Sequence, residues 1–386
     1  MTRASLIFIS TTSFPCRRNS TRYQRLRHLG EKYQLYFLGK GFICPELEPA
    51  LEQIHLFRYH RALKGTFPLW AALHARTLAH RVPIDAVYTT YEPLSLLAGF
   101  LLKKSGFVWI IELWDDPEKS SFVAQSYRGL RAALRLGWHR SLFLLARRVI
   151  KQADLVITQM KPETKEKYHV DDAKILPVTN GVDLSIEYPP SPPPSTPFTV
   201  TFVGALMRTR LDTLIEAMDL LSRDVPDFHL VLIGPLQERQ DRMWLNRVAE
   251  SPRLQGKVTI RGELEHDQVL AALAQADVCV CPYPNIQDLN PTYPVKVFEY
   301  MAMGKAVVAT QLRGISEIIQ DGQSGLLVPP GNPQALAEAI RTLYSDESLR
   351  ERLGQGARER VKAFEWSTIN ARISTAIDDL IDRIQE

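Results

Sequence analysis

Short, unbroken apolar runs recur along this chain, separated by longer stretches in which apolar residues return with helical spacing. Leu6–Ile9 is the first run, followed by Tyr33–Leu38, Ala86–Thr89, Phe107–Ile111, Leu155–Ile157 and Lys174–Val178. Runs of this length without alternation predict strands buried on both faces, and strands separated by helices predict a parallel sheet covered on both sides. Tyr188–Pro197 then contains six prolines in ten residues. Proline fixes φ and lacks a backbone donor, so this segment predicts a stiff, extended linker. Beyond it the pattern restarts. Phe198–Val203, His229–Ile233, Val258–Ile260, Val278–Val280, Ala306–Ala309 and Leu326–Val328 read as strands, with helices at Leu211–Leu221, Gln268–Ala276, Val295–Met303 and Pro333–Tyr344. The fold class expected is α/β: two doubly wound, parallel-sheet (Rossmann-like) domains facing a deep cleft, with ligands at the carboxyl ends of the strands. The expected division is 1–187 for the first domain, 188–198 for the linker, 199–365 for the second domain, and a helix at 366–386 that packs back on the first.

The length of 386 residues suits two domains, and 45% apolar with 23% charged residues is the balance of a globular chain with ample core. The net charge of +4 hides an asymmetry: residues 1–180 carry a balance of +12 and the remainder −8. A basic first half suits a phospholipid surface, a nucleic acid or a phosphorylated acceptor. No nucleic-acid-binding motif is present, so nucleic acid is not an expected partner. Cys279 and Cys281 alternate on a strand and point to opposite faces, which defeats a shared metal site. All four cysteines, with Cys16 and Cys44, read as reduced small hydrophobes, which places the chain in the cytosol. Leu6–Ile9 is too short for a signal-peptide core and Leu94–Leu102 is about half a membrane span, so no export signal or transmembrane helix is expected.

Candidate chemistry concentrates in Pro294–Val308. Lys296, Glu299 and Tyr300 share one face of the predicted helix, and Gly304 stands where a C-cap would end it. A carboxylate there can accept hydrogen bonds from two vicinal ribose hydroxyls, although a plain surface Lys–Glu pair has the same spacing. Gly304-Lys-Ala-Val-Val308, Gly314-Ile-Ser-Glu317, Asp321-Gly-Gln-Ser-Gly-Leu-Leu-Val328, Asn180-Gly-Val-Asp183 and Ala276-Asp-Val-Cys-Val-Cys-Pro282 follow one another in an order and spacing that resembles the large family of retaining GT-B glycosyltransferases numbered four, the group one type. The resemblance covers nearly the whole second domain and only weakly the first. It implies a GT-B fold and a metal-independent hexosyltransferase that takes a nucleotide-sugar donor as substrate and needs no cofactor and no metal. Glu299 resembles the family's ribose-holding glutamate, whose usual partner eight positions earlier is Pro291 here; Asp288, Asn290 or backbone N–H groups of that loop are the substitutes. Lys296 lies in a Pro-x-Lys that also occurs in relatives without the first glutamate. After Gly204 the family's basic residue is replaced by Ala205, and Arg210, with Arg208 beside it, stands near the expected lysine. Fixed positive charge there would stabilise a departing diphosphate, although a solvated loop is the plainer alternative. Gly204 and Gly234, at two strand ends, permit close backbone approach.

In the first half, Ile110–Pro117 resembles the family strand that ends in acidic residues facing the reacting sugar. Asp115 is the catalytic candidate, with Asp116 and Glu112 behind it; a helix N-cap is the structural alternative. Ser13–Arg22 replaces the family's glycine pair, and Arg17, Arg18 and Arg22 could hold a phosphate by side chain. Residues 119–151 hold eight basic residues and no acid, with Leu130, Leu134, Trp138, Leu142, Leu145 and Val149 at helical spacing. That pattern reads as an interfacial helix on an anionic membrane surface, or as a stripe packed on the sheet. The function expected is retaining transfer of a sugar to a lipid-linked or cell-surface glycan acceptor, within polysaccharide biosynthesis, by a cytoplasmic protein peripheral to the inner face of the membrane. The alternative is a catalytically weak GT-B binding subunit that supports a partner glycosyltransferase, motivated by Pro291 and Ala205.

Overall fold

The computed structural model describes residues 3–14, 20–40, 42–57, 65–114, 130–190, 197–236, 238–286 and 289–386, without the side chains of residues 130–136 and 138–140. The chain divides into two compact units, Met1–Thr179 with Ser367–Glu386, and Asn180–Trp366. The division falls ahead of the proline run. Asn180 Nδ2 donates to the Tyr293 carbonyl at 2.7 Å, and Val182 exchanges backbone hydrogen bonds with Phe364 and Trp366, so residues 180–187 join the second unit instead of the first. Of the expected linker, residues 191–196 lie outside the described residues.

The first unit holds seven parallel strands, β1 (Ser5–Ser10), β2 (Gln34–Gly39), β3 (Gln53–Leu56), β4 (Ala86–Thr90), β5 (Val108–Leu113), β6 (Leu155–Thr158) and β7 (Ile175–Pro177), ordered β3-β2-β1-β4-β5-β6-β7. Helices α1 (Thr21–Lys32), α2 (Phe67–Ala79), α3 (Pro93–Lys103), α4 (Leu130–Ile150) and α5 (Lys161–Tyr168) connect them. Every residue of β1, β4 and β5 is buried, as continuous apolar runs require. The strand β3 was not expected: it is four residues long, half-exposed and at the sheet edge, where a short polar strand escapes an apolar-run search. Gly99 lets α3 lie close over β5, since a Cβ there would stand 2.0 Å from Trp109 Nε1, which donates to Thr89 Oγ1 at 2.9 Å.

The second unit has six parallel strands, β8 (Phe198–Val203), β9 (Phe228–Ile233), β10 (Val258–Gly262), β11 (Val278–Cys281), β12 (Ala306–Thr310) and β13 (Leu326–Val328), ordered β10-β9-β8-β11-β12-β13. Its helices are α6 (Arg208–Leu221), α7 (Arg239–Ala249), α8 (His266–Ala274), α9 (Val295–Ala302), α10 (Arg313–Ile318), α11 (Pro333–Ser345) and α12 (Glu347–Val361). Asn332 and Asp346 cap α11 and α12, accepting from Ala335 N–H and Leu349 N–H at 2.9 and 2.8 Å. Cys279 and Cys281 are free and buried, and burial pushes their thiols up to about 12 and about 11. Cys44 is disulfide-bonded, which corrects the expectation of four reduced thiols.

The last helix, α13 (Trp366–Gln385), carries the chain back to the first unit through α1. Arg25 on α1 is fully buried; its Nε donates to Glu112 Oε1 at 2.8 Å and its Nη1 to Asn370 Oδ1 on α13. Tyr88 donates its hydroxyl to Glu112 Oε2, and burial beside that carboxylate raises the hydroxyl's pKa well above the usual range. His28 meets Ser374 Oγ at 2.6 Å, and Tyr33 Oη donates to Asp378 Oδ1 at 2.8 Å. The polar contacts therefore set the register of α13, while Ile369, Ile373, Ile377 and Ile381 supply its buried face.

On α4 the expected apolar stripe is displaced. Phe143, Ala146, Val149 and Ile150 face the core, while Leu144 and Leu145 are 54% and 48% exposed beside exposed Arg148. Leu145 therefore does not share the buried face of Val149, because the sheet selects the row one position away from the one the spacing suggested. Lys119 and Arg128 lie outside the described residues, as do the side chains of Arg131, Arg135, Trp138 and Arg140. Among the described residues no helix is long and apolar enough to cross a membrane.

Removing one partner of a buried ion pair strands the other charge. Glu112→Ala should lower the stability of the first unit by roughly 3–5 kcal/mol, whereas Arg25→Met combined with Glu112→Leu should cost clearly less. Urea unfolding followed by tryptophan fluorescence measures both.

Candidate active site

The strand order of the second unit reverses between β8 and β11, and connections leave that point in opposite directions, so a crevice opens at the carboxyl ends of these strands. Gly204 follows β8 with φ 143°, and Gly234 follows β9 with φ 141°. A Cβ on Gly234 would stand 2.0 Å from the Gly204 carbonyl oxygen, and one on Gly204 would stand 2.1 Å from Lys296 Nζ. Both positions favour glycine by conformation, and at Gly234 the fixed backbone oxygen also leaves no room for a Cβ.

Lys296, in the first turn of α9, brings its ammonium group under this loop. Nζ lies 4.3 Å from the centroid of the Phe202 ring and 4.8 Å from that of Tyr283. It is shut from solvent and has no hydrogen-bond partner among the described residues. A buried ammonium with three donors and only ring faces for company is costly unless an anion completes it. Arg210, in the first turn of α6, places its guanidinium 5.2 Å from the same Tyr283 ring. The two cations thus converge on one aromatic side chain. Arg208 turns elsewhere: it pairs with Asp212 at 3.2 Å and lies 5.9 Å from the Trp244 ring, so it does not support Arg210 in this arrangement.

One turn beyond Lys296, Glu299 is 7% exposed. Its Oε1 meets His266 Nε2 at 2.9 Å, which makes it part of an inter-helix pair instead of the surface Lys–Glu pair considered from spacing. The hydrogen bond to Glu299 raises the His266 pKa against the opposing effect of burial. Tyr300 accepts the Val203 N–H at 2.9 Å, pinning α9 to the end of β8 and fixing where Lys296 and Glu299 stand. Asn290 is committed to structure: its Oδ1 accepts the Arg313 N–H at 2.8 Å and its carbonyl the Gly314 N–H at 3.0 Å, so it secures the start of α10. Asp288, Asp115 and Asp116 lie outside the described residues, as do Arg17 and Arg18. Glu112, read as standing behind Asp115, is instead buried against Arg25 and Tyr88 and takes no part in a site. Sequence reading missed His266 and Tyr283; a lone histidine opening a helix and a tyrosine after a strand carry no motif, and only the closed fold brings them to Glu299 and Lys296. No group of three or more potential metal ligands occurs among the described residues.

Comparison with solved structures gives the same architecture over nearly the full chain. Sucrose-phosphate synthase of Thermosynechococcus elongatus superposes with TM-score 0.68 at 22% identity, covering 98% of this chain and 100% of that one. Anabaena HepE in complex with UDP gives TM-score 0.71 at 20% identity, covering 97% and 100%. Residues 197–346 match the family model of the group 1 glycosyl transferases. The chain has the GT-B fold of these structures, and its second unit is similar to the group 1 glycosyl transferases. Among curated relatives, the D-inositol 3-phosphate glycosyltransferase of Corynebacterium glutamicum is 25% identical over 79% of this chain and 74% of its own length. The phosphatidyl-myo-inositol mannosyltransferase of Mycobacterium leprae is 26% identical over 69% and 68%.

In the second unit the His266–Glu299 pair is open to a titration test. A histidine pKa raised on folding contributes stability that is fully present below the ordinary value of 6.5 and is lost as pH rises through the folded value. NMR titration of the His266 ring should give a pKa above 6.5 that falls on Glu299→Gln, and stability should decline with rising pH across that window in the parent chain only.

Proposed function

We propose that the enzyme transfers a hexose from a nucleoside-diphosphate sugar to a lipid-linked or cell-surface glycan acceptor, with retention at the anomeric carbon and without a metal ion. The observation that carries this reading is the unpartnered, buried ammonium of Lys296 at the end of β8, with Arg210 on the other side of Tyr283. In transfer, the bond from the anomeric carbon to the diphosphate breaks and its electron pair stays on the phosphate oxygen. The acceptor hydroxyl oxygen bonds to the same carbon, and its proton passes to the departing phosphate. Charge grows on the diphosphate as this happens, so fixed cations held away from water favour the transition state over the bound donor. Lys296 also answers the replacement of the family's basic residue by Ala205, because it reaches the same glycine from α9. That favours an active enzyme over a supporting subunit. Glu299, oriented by His266, is assigned to the ribose hydroxyls.

Calorimetry with UDP and steady-state kinetics test these roles. Lys296→Met and Glu299→Ala should each weaken nucleotide binding by roughly 1.5–3 kcal/mol, the scale of hydrogen bonds to charged groups. Arg210→Ala should reduce turnover more than it weakens binding, and turnover should persist in EDTA. Unchanged UDP affinity in the Lys296 and Glu299 variants, or a purified chain that turns over no nucleotide sugar, would refute the assignment.

Attachment to an anionic membrane belongs to the same proposal, supported by the +12 balance of residues 1–180 and by exposed Leu144 and Leu145 next to Arg148 on α4. Each basic residue near an anionic surface adds about 1 kcal/mol, screened within a Debye length. The protein should sediment with anionic vesicles, ignore neutral ones and detach as salt rises, and Leu144→Ser with Leu145→Ser should weaken the binding. Sedimentation indifferent to lipid charge and salt would refute it.

A further inference from the structure

Arg208 and Arg210 stand two positions apart in the first turn of α6, a spacing that sends side chains to different sides of a helix. Arg210 reaches the Tyr283 ring at the crevice, whereas Arg208 borders a separate cavity of about 650 Å³ between α6, α7 and the start of α11. That volume is ordinary for a small-molecule site. Neither Lys296 nor Glu299, Tyr283 or Arg210 lines it. Its apolar wall is made by Ile215 and Leu220 of α6, Trp244 and Val248 of α7, and Leu254. Trp244 is only partly buried, so the indole keeps surface open on this side.

The polar side chains of the lining are anchored at one end and free at the other. Arg208 donates from Nε to both oxygens of Asp212, at 3.2 and 3.3 Å, and Arg247 donates from Nε to the Met243 carbonyl at 3.3 Å. Among the described residues the Nη groups of both make no hydrogen bond, so each keeps a planar fork of donors. Glu216 is exposed and forms no ion pair among the described residues, so its carboxylate offers two acceptors. Gln334, near the start of α11, adds an amide that both donates and accepts. Asp219 is taken up by Arg253 at 2.6 Å. The two guanidinium groups and two carboxylates leave the lining without net formal charge.

A balanced lining gives an ion of either sign no advantage, because attraction to one pair of side chains is offset by repulsion from the other. Forked donors and acceptors beside an open indole and an apolar wall instead complement a ligand with adjacent hydroxyls on its edge and C–H groups on its faces. A sugar ring has that surface: each hydroxyl donates and accepts, and the C–H face packs on an aromatic ring. We propose that the cavity between α6 and α7 binds a neutral oligosaccharide, with Trp244 against the C–H face of one ring and Arg247 and Glu216 on its neighbouring hydroxyls. This goes beyond the transferase reading above, since the cavity lies outside the crevice and holds a glycan without reacting with it.

Calorimetry on the full chain with maltohexaose, cellohexaose and, as their anionic counterpart, hexagalacturonic acid tests the assignment. At least one neutral hexasaccharide should bind, and at least about tenfold more tightly than hexagalacturonic acid. Trp244→Ala and Arg247→Gln should each weaken that binding by about tenfold, the loss of a stacked ring or of a hydrogen bond to a charged group. Trp244→Phe keeps a ring and should cost a smaller factor. All three variants should retain the parent affinity for UDP, which reports on the crevice, and the hexasaccharide should bind equally well when UDP is saturating. Arg247 is exposed, so Arg247→Gln decides the matter should Trp244→Ala fail to fold. The proposal is overturned if neither neutral hexasaccharide binds, if hexagalacturonic acid binds as well as they do, if Arg247→Gln binds as the parent does, or if UDP displaces the sugar. Failure of UDP to bind the parent chain would instead strike the transferase reading and leave this site standing on its own ligand.

Discussion

A parallel sheet whose strand order reverses near its middle leaves one point where neighbouring connections depart to opposite faces. The backbone groups and side chains at that point cannot be covered by the sheet's own helices. Both units of this chain are arranged around that constraint. In the second it falls at β8 and β11, where Gly204, Tyr283 and Lys296 stand; in the first it falls at β1 and β4, where Ser10, Thr90 and Glu92 stand. Among the described residues, buried polar atoms without hydrogen-bond partners occur at both points, Lys296 Nζ in the second unit and Glu92 Oε1 in the first, whereas Arg25 meets Glu112 and Lys305 meets the carbonyls of Ala274 and Ala276.

The contrast between these two kinds of buried charge separates scaffold from site. Arg25 has a carboxylate and an amide within hydrogen-bond reach, and its role is to hold α1, the sheet and α13 in register. Lys296 Nζ has the ring faces of Phe202 and Tyr283 and the Gly204 backbone beside it, and no hydrogen-bond partner among the described residues. The first kind of charge is answered by a carboxylate within its own unit, whereas the second has no such partner among the described residues.

Much of the scaffold was legible because buried parallel strands write themselves as apolar runs. All six strands of the second unit and six of the seven in the first announce themselves this way, and β3 does not because an edge strand need not be apolar. The site was legible only where a residue sat within a motif. Gly204, Lys296 and Glu299 could be singled out by position, but the partners that give them meaning come from distant segments: Tyr283 follows a different strand, and His266 opens a different helix. Arg208 and Arg210 look equivalent in sequence, and the helical turn between them sends one to Asp212 and Trp244 and the other to Tyr283. The row of α4 that faces the sheet was misjudged by one position, because helical spacing alone fixes a face and not which neighbour it meets.

The return of α13 to the first unit has a consequence for the order of assembly during synthesis. Residues 367–386 leave the ribosome after all of the second unit, yet they cover Arg25, His28 and Tyr33. The unit made first is therefore the last to be closed. Until α13 arrives, the first unit leaves Arg25 without its Asn370 partner and the surface that α13 covers open. Closure of the first unit therefore waits on a segment that is made only after the second unit.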